Sequence, residues 1–181
     1  MELEQSLSAA VNASVLHAFE TTLSMSAVET DPIEDQSGID QIACSIGFTG
    51  QVEGNITIRI NKDAACKFVS KMLMMDIQDV NEDVVDGCGE LINLIAGGVK
   101  NRMTELGHSI GISLPTVIHG QYLKLSSSEA NKKIQKYFNI DSFSMFVSLI
   151  FKINEQNNSG LPVDKGQNAI DRLNQLMNKS Q

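Results

Sequence analysis

Between Asp83 and Leu106 the apolar residues recur at the ~3.6-residue period of an amphipathic helix. Val84, Cys88, Leu91, Ile92, Ile95, Val99 and Leu106 share one face, and Asp86, Glu90, Asn93, Gly97, Lys100 and Thr104 share the opposite one. Glu90 and Asn93, three residues apart, are neighbours on the polar face. Asn81 is placed to cap this helix and Gly107 to stop it. Gly87, Gly89, Gly97 and Gly98 all fall inside it. At about 1 kcal/mol each against alanine, they cost the helix roughly 3–4 kcal/mol. Gly97 shares the face of Glu90 and Asn93, where a missing side chain admits another surface, and Gly87 and Gly98 flank the apolar stripe, where a second helix or the sheet can pack closely.

The same reading places a long first helix from Leu3 to about Ser26, with Leu7, Ala10, Val11, Ser14, Val15, Ala18, Phe19 and Leu23 inward. Glu29 to Gly38, with Asp31-Pro32 and Ser37-Gly38, is a turn-rich connection with room for a short edge strand. Ile39–Phe48 and Gln51–Ile60 form a hairpin across Thr49-Gly50, with Ile56, Ile58 and Ile60 inward. Asp63–Met75 is a further helix capped by Asn61 or Asp63, and Met72, Met74 and Met75 read as adaptable core and helix-end packing rather than a binding surface. Asp76–Glu82 is an acidic loop. Ser113–Ser126 reads as one strand bent near Pro115 or Gly120, and Ser127–Lys132 as a loop. Lys133–Phe138 and Ser142–Ile153 form a second hairpin. Glu155–Gly166 is a linker, followed to Met177 by a short helix with Ala169, Ile170, Leu173 and Leu176 on its weak stripe. These elements predict an α+β fold: a single mostly antiparallel sheet with two long helices packed across one face.

Composition narrows the function. The chain has 181 residues, 42% hydrophobic and 20% charged, which suits one soluble domain with a substantial core. A net charge of −8 disfavours nucleic acid and anionic membrane, which call for a basic patch. It also repels acidic partners at long range, so a complex with one must rest on local contacts. The apolar runs are far short of the ~20 residues of a membrane span, and no leader pattern opens the chain. Cys44, Cys66 and Cys88 are odd in number and sit in apolar patterns, as free thiols of a cytoplasmic protein do. His17, His108 and His119 lack ligand spacing, so no metal site is read.

By spacing alone, Glu90 and Asn93 are a solvated polar face. Asp86-x-x-x-Glu90-x-x-Asn93 followed by Pro115, however, resembles the signature of the CheC/CheX/FliY chemotaxis phosphatases. The run from Gly89 to Lys100, with Ser113-Leu114-Pro115-Thr116-Val117 after it, is most similar to the CheX branch. The similarity extends from about Leu7 to about Ile153, so residues 1–154 are read as a CheX-like phosphatase domain and 155–181 as a linker and short tail helix.

The resemblance implies a substrate, a phosphorylated CheY-like receiver domain carrying its own Mg²⁺, with no cofactor bound by this chain. Asn93 would enter the receiver's site and orient the attacking water, and Glu90 would pair with the receiver's active-site lysine. An amide does not titrate near neutrality, so Asn93 can act by positioning and not as a base. Asp86, Gly97, Lys100 and Thr104 are the partner-binding candidates on the same face, and Asp86 has a second reading as an acid that favours the helix N-terminus. The family is built from two pseudo-symmetric halves. In the first, Asn12 stands where Asn93 would be, but Ala9 and Gln5 replace the two acids, which leaves one site per chain. The resemblance further implies a homodimer joined through the sheets, with Ser142–Ile153 the candidate edge. The alternative to catalysis is a receiver-binding adaptor or sensor.

Overall fold

A computed structural model of the chain describes residues 2–32, 39–123, 126 and 132–154. The expected linker and tail helix, and most of the expected loop at Ser127–Lys132, lie outside the described residues. Helix α1, Glu2–Ala18, buries Leu7, Ala10, Val11, Ser14, Val15 and Ala18. It then widens into a π-helical turn, Phe19–Leu23, and closes at Ser24, whose left-handed backbone (φ 51°) lets its N–H donate to the Phe19 carbonyl. The helix is thus shorter than its periodicity suggested, and an edge strand, β1, begins at Ala27 and ends at Thr30.

Strands β2 (Gln41–Gly50) and β3 (Val52–Asn61) form the expected hairpin, with Ile42 opposite Ile60 and Ile46 opposite Ile56. Asn61 ends β3 and caps α2 (Lys62–Leu73), its Oδ1 accepting the Ala64 N–H at 2.7 Å. Asn81 does the same for α3 (Glu82–Glu105), accepting from Val84 at 3.0 Å. Past the end of α3, Gly107 takes φ 85°, the left-handed conformation in which glycine avoids the Cβ penalty. The remaining strands are β4 (Ile110–Ile112), β5 (Thr116–Gly120), β6 (Lys132–Ile140) and β7 (Phe143–Ile153).

Among the described residues all pairings are antiparallel, in the order β1-β6-β7-β3-β2, with β4 and β5 following one another along the outer edge of β2. The inward residues Ile42, Cys44, Ile46, Phe48, Ile56, Ile58, Met145, Val147 and Leu149 form one core with the apolar stripes of the helices. The opposite face carries Thr57, which donates to Ser45 Oγ at 2.9 Å, and Arg59 lying over the Phe146 ring at 5.0 Å. The fold class is as the sequence predicts.

Four expectations are corrected. Ser142–Ile153 is not an edge: β7 lies between β3 and β6 and uses the hydrogen-bonding groups of both its sides, which leaves the edges to β1 and to β4 with β5. The strand expected over Ser113–Ser126 is instead the shorter β5, Thr116–Gly120; β4, Ile110–Ile112, precedes it unannounced, and between the two Ser113 bonds to Gly47 as described below. Leu106 does not join the apolar face of α3 (57% exposed); Met103 is buried there instead. Met74 is 94% exposed at the left-handed end of α2 and Met75 is also exposed, so of the three methionines only Met72 packs against the core.

Candidate functional site

Helix α3 presents the site as a ridge. Its buried side, Val84, Cys88, Leu91, Ile92, Ile95, Val99 and Met103, is seated on the core, so the opposite side must face solvent. Asp86, Glu90, Asn93 and Thr104 are exposed there, with Gly97 and Lys100 half-exposed. The Asn93 amide nitrogen donates to Glu90 Oε2 at 3.5 Å, a weak contact one helical turn long. The structure therefore places all six candidate residues on one exposed face and brings Glu90 and Asn93 into contact. Thr104 is turned back on its own helix, donating to the Lys100 carbonyl at 2.9 Å.

The glycines of α3 divide by what surrounds them. A Cβ on Gly87 would lie 2.7 Å from both methyls of Val69 on α2, and one on Gly98 would lie 2.9 Å from Ser14 Oγ on α1. These two let the neighbouring helices close against α3. Arg102 fastens the α1 contact, its guanidinium donating to Ser14 Oγ, the Gly98 carbonyl and the Ala13 carbonyl at 3.3–3.4 Å. A Cβ on Gly89 would lie 3.7 Å from Pro115 and 3.8 Å from Val117, an ordinary contact. A Cβ on Gly97 would meet nothing within 4 Å, so its missing side chain serves no packing among the described residues. Gly97→Ala is accordingly expected to raise stability by about 1 kcal/mol through helix propensity alone. Gly87→Ala, driven into the stiff Val69, is expected to lower it by about 1–2 kcal/mol. Urea unfolding of the two variants checks the contrast.

The loop that leads into α3 is tied down by an ion pair. Lys62, at the start of α2, pairs with Asp79 at 2.7 Å across the loop that leads into α3. This bond, with the Val80 N–H, holds the Asp79 carboxyl below its ordinary range. Beneath the ridge, Cys44 of β2 meets Cys88 of α3; the neighbouring thiol and burial hold Cys44 protonated, far above the usual thiol range. All three cysteines are free and buried. Among the described residues no group of three or more His, Cys, Asp or Glu could hold a metal ion, and no helix is long and apolar enough to cross a membrane.

The counterpart on α1 differs. Gln5 and Ala9 are exposed, but Asn12 is half-buried, and its Oδ1 has no hydrogen-bond partner among the described residues. It is not displayed as Asn93 is. Leu114 belongs to the Ser113–Val117 run that carries the resemblance but was not among the candidate site residues, and it is exposed.

Residues 42–139 match the family model described as chemotaxis phosphatase CheX. A curated relative, the CheY-P phosphatase CheX of Thermotoga maritima, is 31% identical over 106 residues, covering 58% of this chain and 68% of its own. The crystal structure of chemotaxis protein CheX from Vibrio vulnificus superposes with a TM-score of 0.71 at 24% identity, over 80% of this chain and 95% of that one. The CheX–CheY–BeF₃–Mg²⁺ complex from Borrelia burgdorferi gives 0.67 at 19% identity, over 80% and 96%.

Proposed function

Since the chain belongs to the CheX family of chemotaxis phosphatases, we propose that it accelerates hydrolysis of the aspartyl-phosphate on a CheY-like receiver domain. One observation carries this reading: Glu90 and Asn93 stand together on an exposed ridge whose next turn, at Gly97, is bare. Phosphoryl transfer to water needs an aligned nucleophile and charge stabilisation more than a protein nucleophile. The Asn93 amide offers a donor and an acceptor on one rigid helix, enough to hold a water in line with the phosphorus. Glu90 is free to pair with a receiver lysine and so to fix the register of the helix in the receiver's pocket. The receiver contributes its own Mg²⁺; this chain contributes position. Asp86, one turn earlier, and Lys100, beyond Gly97, are the outlying contacts of the same face.

The relative from Thermotoga maritima supports the activity, and the Borrelia complex supports a CheY-like partner. The test is the decay of a phosphorylated CheY receiver with and without the chain. Faster decay with the chain is the expected result. Binding with unchanged decay would instead make the chain an adaptor. We place this activity in the cytoplasm and in a homodimer. The interior position of β7 moves the dimer seam away from the edge of that strand. Sedimentation equilibrium reads the stoichiometry directly.

A further inference from the structure

Leu114 is 87% exposed, yet its backbone is held firmly. The Ser113 N–H donates to the Gly47 carbonyl at 3.0 Å. Ser113 Oγ accepts from the Gly47 N–H at 2.9 Å and donates to the Leu114 carbonyl at 2.9 Å. Pro115 fixes the next φ. An apolar side chain displayed on a pinned backbone loses little conformational freedom when a partner covers it.

Its position follows from the path of the chain. Ile110 comes just after the C-terminal end of α3, whereas Pro115 and Val117 lie against Gly89 nearer its beginning, so β4 and β5 run back along the helix. Leu114, one residue before Pro115, therefore lies toward Asn93, one helical turn beyond Gly89. On the other flank of the ridge Leu94 is 42% exposed, one turn from Glu90. The polar pair is thus bracketed by two exposed leucines.

Charge says what those leucines are for. The ridge carries Asp86 and Glu90 on a chain of net charge −8, and the phosphoryl group adds negative charge to the receiver that bears it. Electrostatics gives this chain little long-range attraction toward such a partner. Affinity has to come from contacts that exclude water, and exposed leucines beside the reacting groups supply them. We propose that Leu114, with Leu94 opposite, is a docking contact for the phosphorylated receiver and sets its affinity rather than the rate of the chemical step. This rests on the function proposed above.

The experiment compares Leu114→Ser, Leu94→Ser and Val28→Ser, the last an exposed residue of the far edge strand β1. Steady-state hydrolysis is measured with a CheY receiver phosphorylated by acetyl phosphate, and binding with the same receiver held in beryllofluoride. Leu114→Ser is expected to raise KM and weaken binding roughly 10-fold with kcat retained. Leu94→Ser should do the same less strongly, and Val28→Ser should change neither. Unchanged KM and binding for Leu114→Ser would overturn the docking role, as would a fall in kcat at constant KM. If the wild-type chain binds but does not hydrolyse, the affinity comparison still decides for or against Leu114. A wild-type chain that neither binds nor hydrolyses any receiver tested would remove the proposed function, and this inference with it.

Discussion

Replacing Asn93 with alanine is expected to slow hydrolysis of the receiver aspartyl-phosphate by on the order of 10²-fold or more, the scale of losing one positioned transition-state group. The loss should fall on kcat. An amide that holds water in line contributes mainly once the phosphoryl group has begun to move, so removing it spares ground-state binding. Stability should change by no more than about 0.5 kcal/mol, because Asn93 is exposed and its contact to Glu90 is long, at 3.5 Å. Glu90→Ala should separate from it: if Glu90 pairs with a receiver lysine, its loss weakens association as well as rate. Asn93→Asp is the sharper control. It keeps the shape, removes the donor and sets a second carboxylate beside Glu90, so repulsion from the phosphoryl group should leave it no more active than alanine. Single-turnover decay of the phosphorylated receiver at saturating chain reads the chemical step directly. Full activity in Asn93→Ala would end the water-positioning role.

The candidate site was legible because it is local. Glu90 and Asn93 lie within one turn of one helix, so spacing alone makes them neighbours, and Asn81 and Gly107 mark the ends of that helix with side-chain and backbone preferences that belong to those residues. The roles of Gly87 and Gly98 followed in kind from their places beside the apolar stripe, although only the fold identifies Val69 and Ser14 as what they admit. What stayed hidden is long-range. Pro115 announces a bend in the run from Ile110 to Gly120, but β4 and the meeting of Ser113 with Gly47, 66 residues away in sequence, are visible only in the fold. The rank of β7 in the sheet depends on two partners; its inward alternation is clear, but alternation on one face is silent about how many neighbours a strand has. Ser148 is buried on the other face, as an interior strand requires, but a serine in an alternating run does not show that beforehand. The methionines after α2 misled for a related reason. Met74 takes a left-handed conformation (φ 54°) that ends the helix and turns its side chain to solvent, a position where glycine is the usual marker.

Phe68→Ala is expected to cost about 3–5 kcal/mol of folding stability, the range for truncating a fully buried phenylalanine. Phe68 lies at 0% exposure on α2, edge-on to Phe19 of the π-helical turn at 4.9 Å and to Phe143 at the start of β7 at 5.9 Å. Alanine would open a cavity shared by three elements and remove two edge-to-face pairs at once. Phe68→Leu refills much of that volume and should cost far less. The midpoint of thermal unfolding should therefore fall by roughly 10 °C for alanine. The loss ought not to reach the chemistry, however: Glu90 and Asn93 project from the far side of α3, and alanine at 68 alters neither. At a temperature where the variant is still folded, kcat per folded molecule should match the wild type, in contrast to Asn93→Ala, which keeps the fold and loses the rate. The pair of variants thus separates stability, anchored in the core by α2, from chemistry on the exposed side of α3. It also explains how α3 tolerates four glycines at a cost of roughly 3–4 kcal/mol. Gly87 and Gly98 return part of that cost as close contact with α2 and α1, and buried anchors such as Phe68 offset the remainder. Gly97 is left bare on the ridge, where a receiver has room to approach.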